Sequence, residues 1–287
     1  MASPTVRRRE LANRLRALRQ EAKLTLEDAG KALEFSAATM SRIENAVRAP
    51  RVRDVRDLAR LYGADERTTG ELLRLVEAAR EAGWWESYSE IGEEYATLIG
   101  LESSATSLEE HRGSTVPGLL QTPDYARAYM DVAINPQRAK PFSQGEIAQR
   151  LEVLQRRQEV LHGRTRPAYT AFLDEACLRR FVGGRRTMAE QLARLATLAD
   201  QPNMSIRLLP FTLGAHPGQP GGFCYISLPQ SDVSDVVYVD GLGGQLFLET
   251  PENLARHRRV LKALDRVALT LSESQQYMMK IRNEMTD

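Results

Sequence analysis

Apolar residues in the first 62 positions recur every three or four residues, in short groups separated by polar breaks. This spacing is typical of amphipathic helices, which bury one stripe of side chains. The pattern predicts four short helices in this part of the chain. Their core-facing residues are Leu11, Leu15 and Leu18 in the first helix, Leu26, Ala29 and Leu33 in the second, Met40 and Ile43 in the third, and Val52, Val55, Leu58 and Leu61 in the fourth.

Capping residues mark where two of these helices begin. Thr25, with Asp28 three residues later, forms a capping-box pattern at the start of the second helix. Ser36 is a favoured N-cap for the third helix, which the pattern extends to about Asn45. Two short helices joined by a turn of about three residues predict a helix-turn-helix unit.

The outward face of the third helix is predicted to carry small and hydrogen-bonding side chains. Small residues let a helix approach the floor of the DNA major groove, and their methyl groups can contact thymine. Arg42 can bind guanine through two hydrogen bonds, which discriminates between bases by about 1–3 kcal/mol. Base recognition is therefore possible but sparse. The candidate residues are Ser36 at the helix start and Ala37, Ala38, Thr39, Ser41 and Arg42 facing outward.

The flanking sequence supplies candidates for phosphate contacts, which position a protein on DNA without specifying sequence. Thr25 and Leu26 begin the second helix, and Arg48, Arg51 and Arg53 follow the third. Residues 1–62 contain 14 Lys and Arg against 8 Asp and Glu, whereas residues 63–110 contain 3 against 12. A basic N-terminal segment, residues 1–62, which we call the head, stands before an acidic segment, and this order indicates an anion-binding module. The alternatives are uneven charge on ordinary surface helices, and a helical bundle that binds no nucleic acid.

The segment after the head combines a helix with a dense aromatic group. Residues 65–82 have helical spacing, and Trp84, Trp85, Tyr88 and Tyr95 follow. These rings could form a box for a cofactor or pack between domains, and their mixture with acidic residues favours packing. The predicted organisation is a DNA-binding domain with its following helix at 1–82, an aromatic and acidic linker at 83–100, and a ligand- or partner-binding domain at 101–287.

The C-terminal region mixes helical and strand-like runs, which predicts an α+β domain with a small sheet beside the all-α head. The segment LESSATSLEEH fits a strand or a helix, and Thr122 with Pro123 begins a short helix. A strand is predicted at 168–173, with a helix directly after it. Other helices are predicted at 143–162, 187–200, 251–271 and 272–285, with Ser272 capping the last. Four further strands are predicted in MSIRLLPF, GFCYISLP, DVVYVD and QLFLET.

The head resembles the Xre and phage-repressor helix-turn-helix family over about Leu11–Tyr62, through the stretch LTLEDAGKALEFSAATMSRIENAVRAP. In that family, the first two residues of the recognition helix and the residue four positions after the second reach the bases. The resemblance assigns these roles to Ala37, Ala38 and Arg42. The family often has Gln at the first two positions, so this chain departs from amide recognition of adenine.

The remainder resembles the DUF5753 domain over about residues 84–283. The ordered phrases that carry this resemblance are GWW, VPGLLQTPDYARAYM, RRQEVL, LDEACLRRFVGG, MAEQLARL, LLPF, GAHPG and DVVYVD. The resemblance implies a transcription factor of the actinobacterial Scr1 family of antitoxin-like regulators, to which WhiJ-like developmental regulators are similar. It also implies pairing with a small DUF397 protein encoded nearby. The family commonly has Glu where this chain has Asp240.

No motif predicts catalysis, a metal or a cofactor. The stretch GAHPGQPGGF is rich in glycine but lacks the Lys and Ser/Thr of a P-loop. The four histidines are scattered without metal-ligand spacing, and no nucleophile and base occur in a known arrangement. We therefore expect no catalytic residues, no enzyme activity and no cofactor.

Several polar and aromatic residues are candidates for a pocket or partner groove, because they lie at predicted strand ends or in the aromatic segment. For Asp174 and Glu175 a role at a helix start is favoured, and for His216 a position in a surface loop is favoured. The candidates are Trp84, Trp85, Asp174, Glu175, His216, Tyr238 and Asp240.

The composition of the sequence bears on the cellular location of the protein. No apolar run reaches the roughly 18 residues of a membrane helix, the N-terminus lacks the apolar core of a secretory signal, and Cys177 and Cys224 form no CxxC motif. We expect a cytoplasmic, nucleoid-associated homodimer that binds an inverted repeat in double-stranded DNA and makes no membrane contact. A small protein or ligand at the C-terminal domain would control it. The alternatives are an antitoxin-like module that sequesters a DUF397-type protein and regulates its own operon, and an enzyme tethered to DNA.

Overall fold

The computed structural model describes residues 2–88, 91–135, 140–163, 165–229, 233–241 and 243–286. The chain forms two compact units. The first comprises Met1–Ser87, Ile99–Ser104 and Leu228–Ser234, and the second comprises Tyr88–Leu98, Ala105–Ser227 and Asp235–Asp287. The predicted domain limits at 82 and 100 stay a prediction.

The first unit contains the predicted helical head. Its helices are α1 (Pro4–Glu21), α2 (Leu26–Ala32), α3 (Ala37–Glu44), α4 (Val52–Leu61) and α5 (Glu66–Ala78), followed by a 3-10 turn at Trp84–Ser87 and by α6 (Glu93–Glu102), which ends in this unit. The predicted stripes meet in one core, in which Leu11, Met40 and Leu58 are almost fully buried. The four predicted helices and the helix-turn-helix are confirmed.

The caps predicted for the head are present, and the fifth helix is shorter than predicted. The Thr25 hydroxyl accepts the Asp28 N–H, and the Asp28 carboxylate accepts the Thr25 N–H, which completes the capping box. The helix predicted at 65–82 runs only from Glu66 to Ala78. Asp65 is its N-cap, and Ala79 is its C-cap, whose N–H donates to the Leu75 carbonyl.

The second unit is a mixed α+β structure. Its strands are β1 (Ser107–Arg112), β2 (Ile134–Asn135), β3 (Lys140–Pro141), β4 (Ala168–Asp174), β5 (Met204–Leu209), β6 (Phe223–Ser227), β7 (Val236–Gly241) and β8 (Gly244–Leu248). Its helices are α7 (Pro123–Val132), α8 (Gln144–Gln158), α9 (Ala176–Arg179), α10 (Gly184–Ala199), α11 (Pro251–Val267) and α12 (Leu271–Thr286), with 3-10 turns at Gly118–Leu120, Glu159–Leu161 and Phe211–Leu213. The predicted fold class is confirmed.

Six strands form one sheet in the order β5-β4-β1-β6-β7-β8. Strands β5, β4 and β1 run parallel, and β6, β7 and β8 follow as antiparallel neighbours. Helix α11 covers one face, where Leu261 and Leu264 pack against Phe172, Tyr225 and Val237. The carboxyl ends of β4, β1 and β7 therefore lie at the same edge of the sheet.

Several predicted helix limits in this unit are wrong. Helix α10 begins at Gly184 rather than Thr187, and α11 ends at Val267 rather than 271, whereas the helix predicted after β4 is present as the four-residue α9. Ser272 is not the cap of the last helix. Thr270 caps it, because its hydroxyl accepts the Glu273 N–H while the Glu273 carboxylate accepts the Thr270 N–H. A Thr-x-x-Glu capping box satisfies two backbone donors, which a lone serine cannot do.

The turn between α2 and α3 requires glycine at position 30. A Cβ on Gly30 would lie 2.5 Å from the Phe35 carbonyl oxygen, a backbone atom with little freedom to move. We expect Gly30→Ala to lower the free energy of unfolding of the first unit by about 1–3 kcal/mol, as overpacking usually does. Urea denaturation monitored by circular dichroism measures this change.

Gly70→Ala is the matched control, since Gly70 lies within α5 and an added Cβ would meet only the end of Arg74, at 4.0 Å. Alanine has the higher helix propensity, so this variant should gain up to about 1 kcal/mol. Equal stability of the two variants would contradict the proposed role of the turn.

Candidate functional site

Helix α3 has a defined start and a buried inner face. The Ser36 hydroxyl accepts the Thr39 N–H at 3.1 Å, which satisfies a free donor of the first turn. Met40 and Ile43 point into the core of the first unit. The opposite side presents Ala38 and Arg42, which are exposed, while Ala37 and Ser41 are half-buried.

Thr39 does not face outward as predicted, because its side chain is buried. It precedes Ile43 by four residues, which places both on the same face of a helix. Its hydroxyl lies 3.1 Å from the Ser36 hydroxyl and accepts a hydrogen bond from Arg42 Nη2 at 3.3 Å. Thr39 therefore supports the start of α3 and the position of Arg42 rather than presenting itself to a base.

A buried ion pair fixes the end of α3 against α1. The Glu44 carboxylate is 3% exposed and accepts two hydrogen bonds from Arg19, at 2.7 and 2.9 Å. Arg16 donates to the Glu44 carbonyl and to Asn45 Oδ1. Sequence analysis missed these positioning residues, because the partners lie 25 residues apart and form no local pattern.

The predicted phosphate-binding residues lie around this helix. Arg51 and Arg53 are exposed at the start of α4, and the Arg48 guanidinium lies 5.4 Å from the centre of the Phe35 ring. Thr25 is exposed and Leu26 is half-buried at the start of α2. The hydroxyl of Thr25 is already engaged with Asp28, so an incoming phosphate would meet a carboxylate at this terminus.

In the second unit, the structure joins two of the predicted pocket residues at the sheet edge. His216 Nδ1 accepts the Gly218 N–H at 3.2 Å, so its proton is on Nε2, which donates to Asp174 Oδ2 at 3.1 Å. The other Asp174 oxygen accepts the Ala176 N–H, the helix-start role that was favoured for this residue. His216 is not a surface-loop residue, since its side chain is only 4% exposed.

His111 completes this cluster, although its sequence context gave no signal. It is buried on β1, its Nδ1 donates to the Phe172 carbonyl at 3.0 Å, and its ring centre lies 5.6 Å from that of His216. A Cβ on Gly218 would lie 2.5 Å from His111 Nε2. The glycine-rich loop is therefore shaped by the two histidine rings.

The other candidates lie elsewhere, so the proposed pocket is not assembled. Glu175 turns away from Asp174, and its carboxylate accepts hydrogen bonds from Arg179, the Phe211 N–H and Tyr277. Burial favours a higher pKa for Glu175, but these hydrogen bonds outweigh it and lower the pKa. Tyr238 and Asp240 lie on β7, three strands from β4, or about 14 Å at the usual spacing. Tyr238 packs against Phe247.

Two family models match the chain. One, a helix-turn-helix domain, matches residues 10–72, and the other, a domain of unknown function (DUF5753), matches residues 95–280. The chain belongs to the DUF5753 family. No curated protein and no solved structure matches it.

The helix-turn-helix domain ahead of the DUF5753 domain makes this chain a DNA-binding regulator. Helix α3 is the second helix of this helix-turn-helix, the position of a recognition helix. In the described part of the chain, no helix has the length and apolar character needed to cross a membrane. Within the same residues, no group of three or more His, Cys, Asp and Glu side chains is placed to hold a metal ion.

The predicted aromatic candidates Trp84 and Trp85 lie in the first unit. Trp85 is buried, and the ring centres of the pair are 5.7 Å apart in an edge-to-face arrangement. A Cβ on Gly83 or Gly100 would lie within 3.1 Å of the Trp85 ring. Trp85 is thus closely packed by backbone, which leaves its ring little room for a ligand.

The buried His111 in the DUF5753 domain makes stability depend on pH. Burial lowers the pKa of His111, against the opposing effect of its hydrogen bond to the Phe172 carbonyl. Because the folded-state pKa lies below that of the unfolded chain, the unfolded chain takes up a proton first as the pH falls. His111 therefore stabilises the fold fully above the unfolded pKa of about 6.5, and this contribution is lost on acidification below it.

We expect the free energy of unfolding to decrease as the pH is lowered from about 7.5 to 5, by at most about 1.4 kcal/mol per pH unit from this residue. His111→Gln keeps a donor for Phe172 and should flatten this dependence, as measured by urea denaturation. His162→Gln, at an exposed histidine, should leave it unchanged. The same slope in wild type and His111→Gln would contradict the assignment.

Proposed function

We propose that this chain is a sequence-specific transcriptional regulator that binds an inverted-repeat operator as a homodimer. The observation that carries the proposal is the outer face of α3. Ala38 and Arg42 project from a helix whose start is capped by Ser36 and whose end is held by the Glu44–Arg19 ion pair. Small side chains permit close approach to the groove, and one arginine offers base recognition.

Sparse base recognition supports the dimer. One bidentate arginine discriminates by about 1–3 kcal/mol, whereas specific sites in a genome typically need about 4–10 kcal/mol over non-specific DNA. A second copy on an inverted half-site doubles the number of base contacts. It also fixes the spacing of the two recognition helices at about one helical turn of DNA.

We propose that the DUF5753 domain binds a small protein or ligand and adjusts the affinity of the head. A ligand that favours one arrangement of the dimer would change DNA affinity by its preference for that arrangement, typically 1–3 kcal/mol. Such control fits a cytoplasmic, nucleoid-associated regulator. An antitoxin-like role, in which sequestering a small DUF397-type protein is the main task, remains an outcome that experiment can distinguish.

We also propose that the DUF5753 domain is not an enzyme. The Asp174–His216 pair joins a carboxylate to an imidazole, but His216 Nδ1 already accepts the Gly218 N–H, and a hydrolytic mechanism needs a free base and a nucleophile. Burial raises the pKa of the neighbouring Cys177 thiol to about 12, and its Sγ donates to the Arg112 carbonyl. A thiol held in this way is inert at neutral pH.

Arg42→Ala tests the assignment of base recognition. We expect this variant to lose preference at one base pair of each half-site, by about 1–3 kcal/mol, while keeping affinity for non-specific DNA within a few fold. Binding-site selection from a random library, followed by sequencing, measures the preference at every position. Arg53→Ala is the control, since loss of a phosphate contact should weaken all sequences equally. An unchanged selected site in Arg42→Ala would show that Arg42 does not contact bases.

Native mass spectrometry of protein recovered from its own host, beside protein made in a foreign host, tests the dimer and its control. We expect a dimer in both samples and an added mass in the native sample alone. An added mass of a small protein supports partner control, and a few hundred daltons supports a metabolite. A monomer that stays monomeric on operator DNA would contradict the dimer, and a bare dimer in both samples would contradict control by a tightly bound partner.

A further inference from the structure

Helix α11 has two sides with different electrostatic surroundings. On the inner side, Arg258 lies 3.9 Å from the centre of the Tyr225 ring and forms ion pairs with Glu109 and Asp235. Nearby, Asp265 pairs with Arg207 of β5. Arg258 on the inner side is thus neutralised by partners within the domain, and the exposed Asp265 is paired as well.

The outer side carries four cations. They are Arg256, Arg259, Lys262 and Arg266, and all four are exposed. In the part of the chain that the structure describes, no hydrogen bond or ion pair engages any of them. Their spacing of three, three and four residues places them within about 120° of the helix circumference and along about 15 Å of its axis. We call these four residues the α11 stripe.

We infer that the α11 stripe binds the phosphate backbone of duplex DNA, as a second DNA contact in addition to the recognition helix. One DNA strand advances by about 3.4 Å per phosphate, so 15 Å of helix lies opposite about four phosphates. The stripe supplies four cations over that length. Three of them are arginines, whose planar guanidinium groups match the geometry of phosphate oxygens.

The composition of this face fits a polyanion better than a protein surface. Ala255 and Ala263 are the small residues of this face, and Val267 is the last helical residue. The acidic Glu252 lies in the first turn, and the exposed Asp265 beside the stripe is paired with Arg207. A protein interface normally centres on buried aromatic or aliphatic anchors. The stripe has none within its length, whereas backbone contacts to DNA need only positioned donors and positive charge.

The packing of α11 on the sheet holds the stripe in a fixed position for this contact. Leu261 and Leu264 fix the helix on the sheet, and Arg258 joins it to β1 through Glu109. The four cations are therefore mounted on a rigid support, which reduces the entropy lost on binding. The inference rests on the proposed function, since DNA held by the head raises the effective concentration of phosphates near the rest of the chain.

The test compares the wild-type chain with the variant Arg256→Gln/Arg259→Gln/Lys262→Gln/Arg266→Gln. Fluorescence anisotropy measures affinity between about 50 and 200 mM salt for a short duplex with the selected operator alone and for a longer duplex with flanking sequence. Each phosphate contact contributes about 0.9 to the slope of log K against log salt. On the longer duplex, we expect the variant's slope to be shallower by about 2 to 4.

A matched control removes the same charges from other surfaces of the same domain. Arg127, Arg166, Arg186 and Lys280 are also exposed, so their fourfold change to glutamine equals the stripe variant in composition and net charge. We expect the control to keep the wild-type slope to within about one phosphate contact. Thermal unfolding of both variants near the wild-type temperature shows that the fold is intact.

The outcomes separate this inference from the proposed function. If wild type prefers the operator over a scrambled duplex but the stripe variant keeps the wild-type slope, the second DNA contact is wrong and the head's function stands. If wild type shows no such preference, the proposed function fails. A comparison of the salt slopes of wild type and the stripe variant on scrambled DNA still shows whether the stripe binds phosphates. Loss of a co-purifying acidic protein from the stripe variant, with unchanged DNA slopes, would assign the stripe to a protein partner instead and overturn the inference.

Discussion

The buried ion pair between Glu44 and Arg19 is the interaction on which the recognition helix depends. Helix α3 has only eight residues, too few to be stable in isolation. Glu44 is its last residue, where a negative charge opposes the helix dipole and where burial is costly. Arg19 and Arg16 of α1 compensate for both effects by supplying charge and hydrogen bonds to the carboxylate and to the free carbonyl. The position of α3, and with it that of Arg42, is therefore set from α1.

Local signals in the head were strong enough to predict its helices and two of its caps. Thr25 and Ser36 act through residues three positions away, so their role is visible in a short stretch of sequence. The predicted outward position of Thr39 is wrong, because its spacing of four residues from Ile43 places both side chains on the buried face of α3. The Glu44–Arg19 pair could not be predicted, since the contact exists only after α1 and α3 pack together.

In the second unit, the local sequence pattern predicts where strands occur but not the order in which they pair. Strands β4 to β8 were predicted near their observed positions, because apolar runs and flanking glycines are local features, whereas the β1 segment fitted a strand or a helix. The order of those strands is not local. It separates Asp240 on β7 from Asp174 on β4, although both residues lie near the carboxyl ends of strands that run in the same direction. It also brings His111 on β1 beside His216, which no spacing in the sequence indicates.

Helix α11 illustrates how one element can serve the fold and a surface at once. Its inner face needs apolar residues and a paired arginine, because unpaired charge is not tolerated against a sheet. Its outer face is free of that constraint. The four cations of the α11 stripe repel one another, and an approaching anion lowers that repulsion. Under the two proposals, specificity and affinity for DNA come from different places. Arg42 on α3 would select the base, while backbone contacts would supply a salt-dependent share of the binding free energy. If the α11 stripe binds DNA as we infer, any change that moves it away from DNA would weaken binding at every site and leave the preferred sequence unaltered.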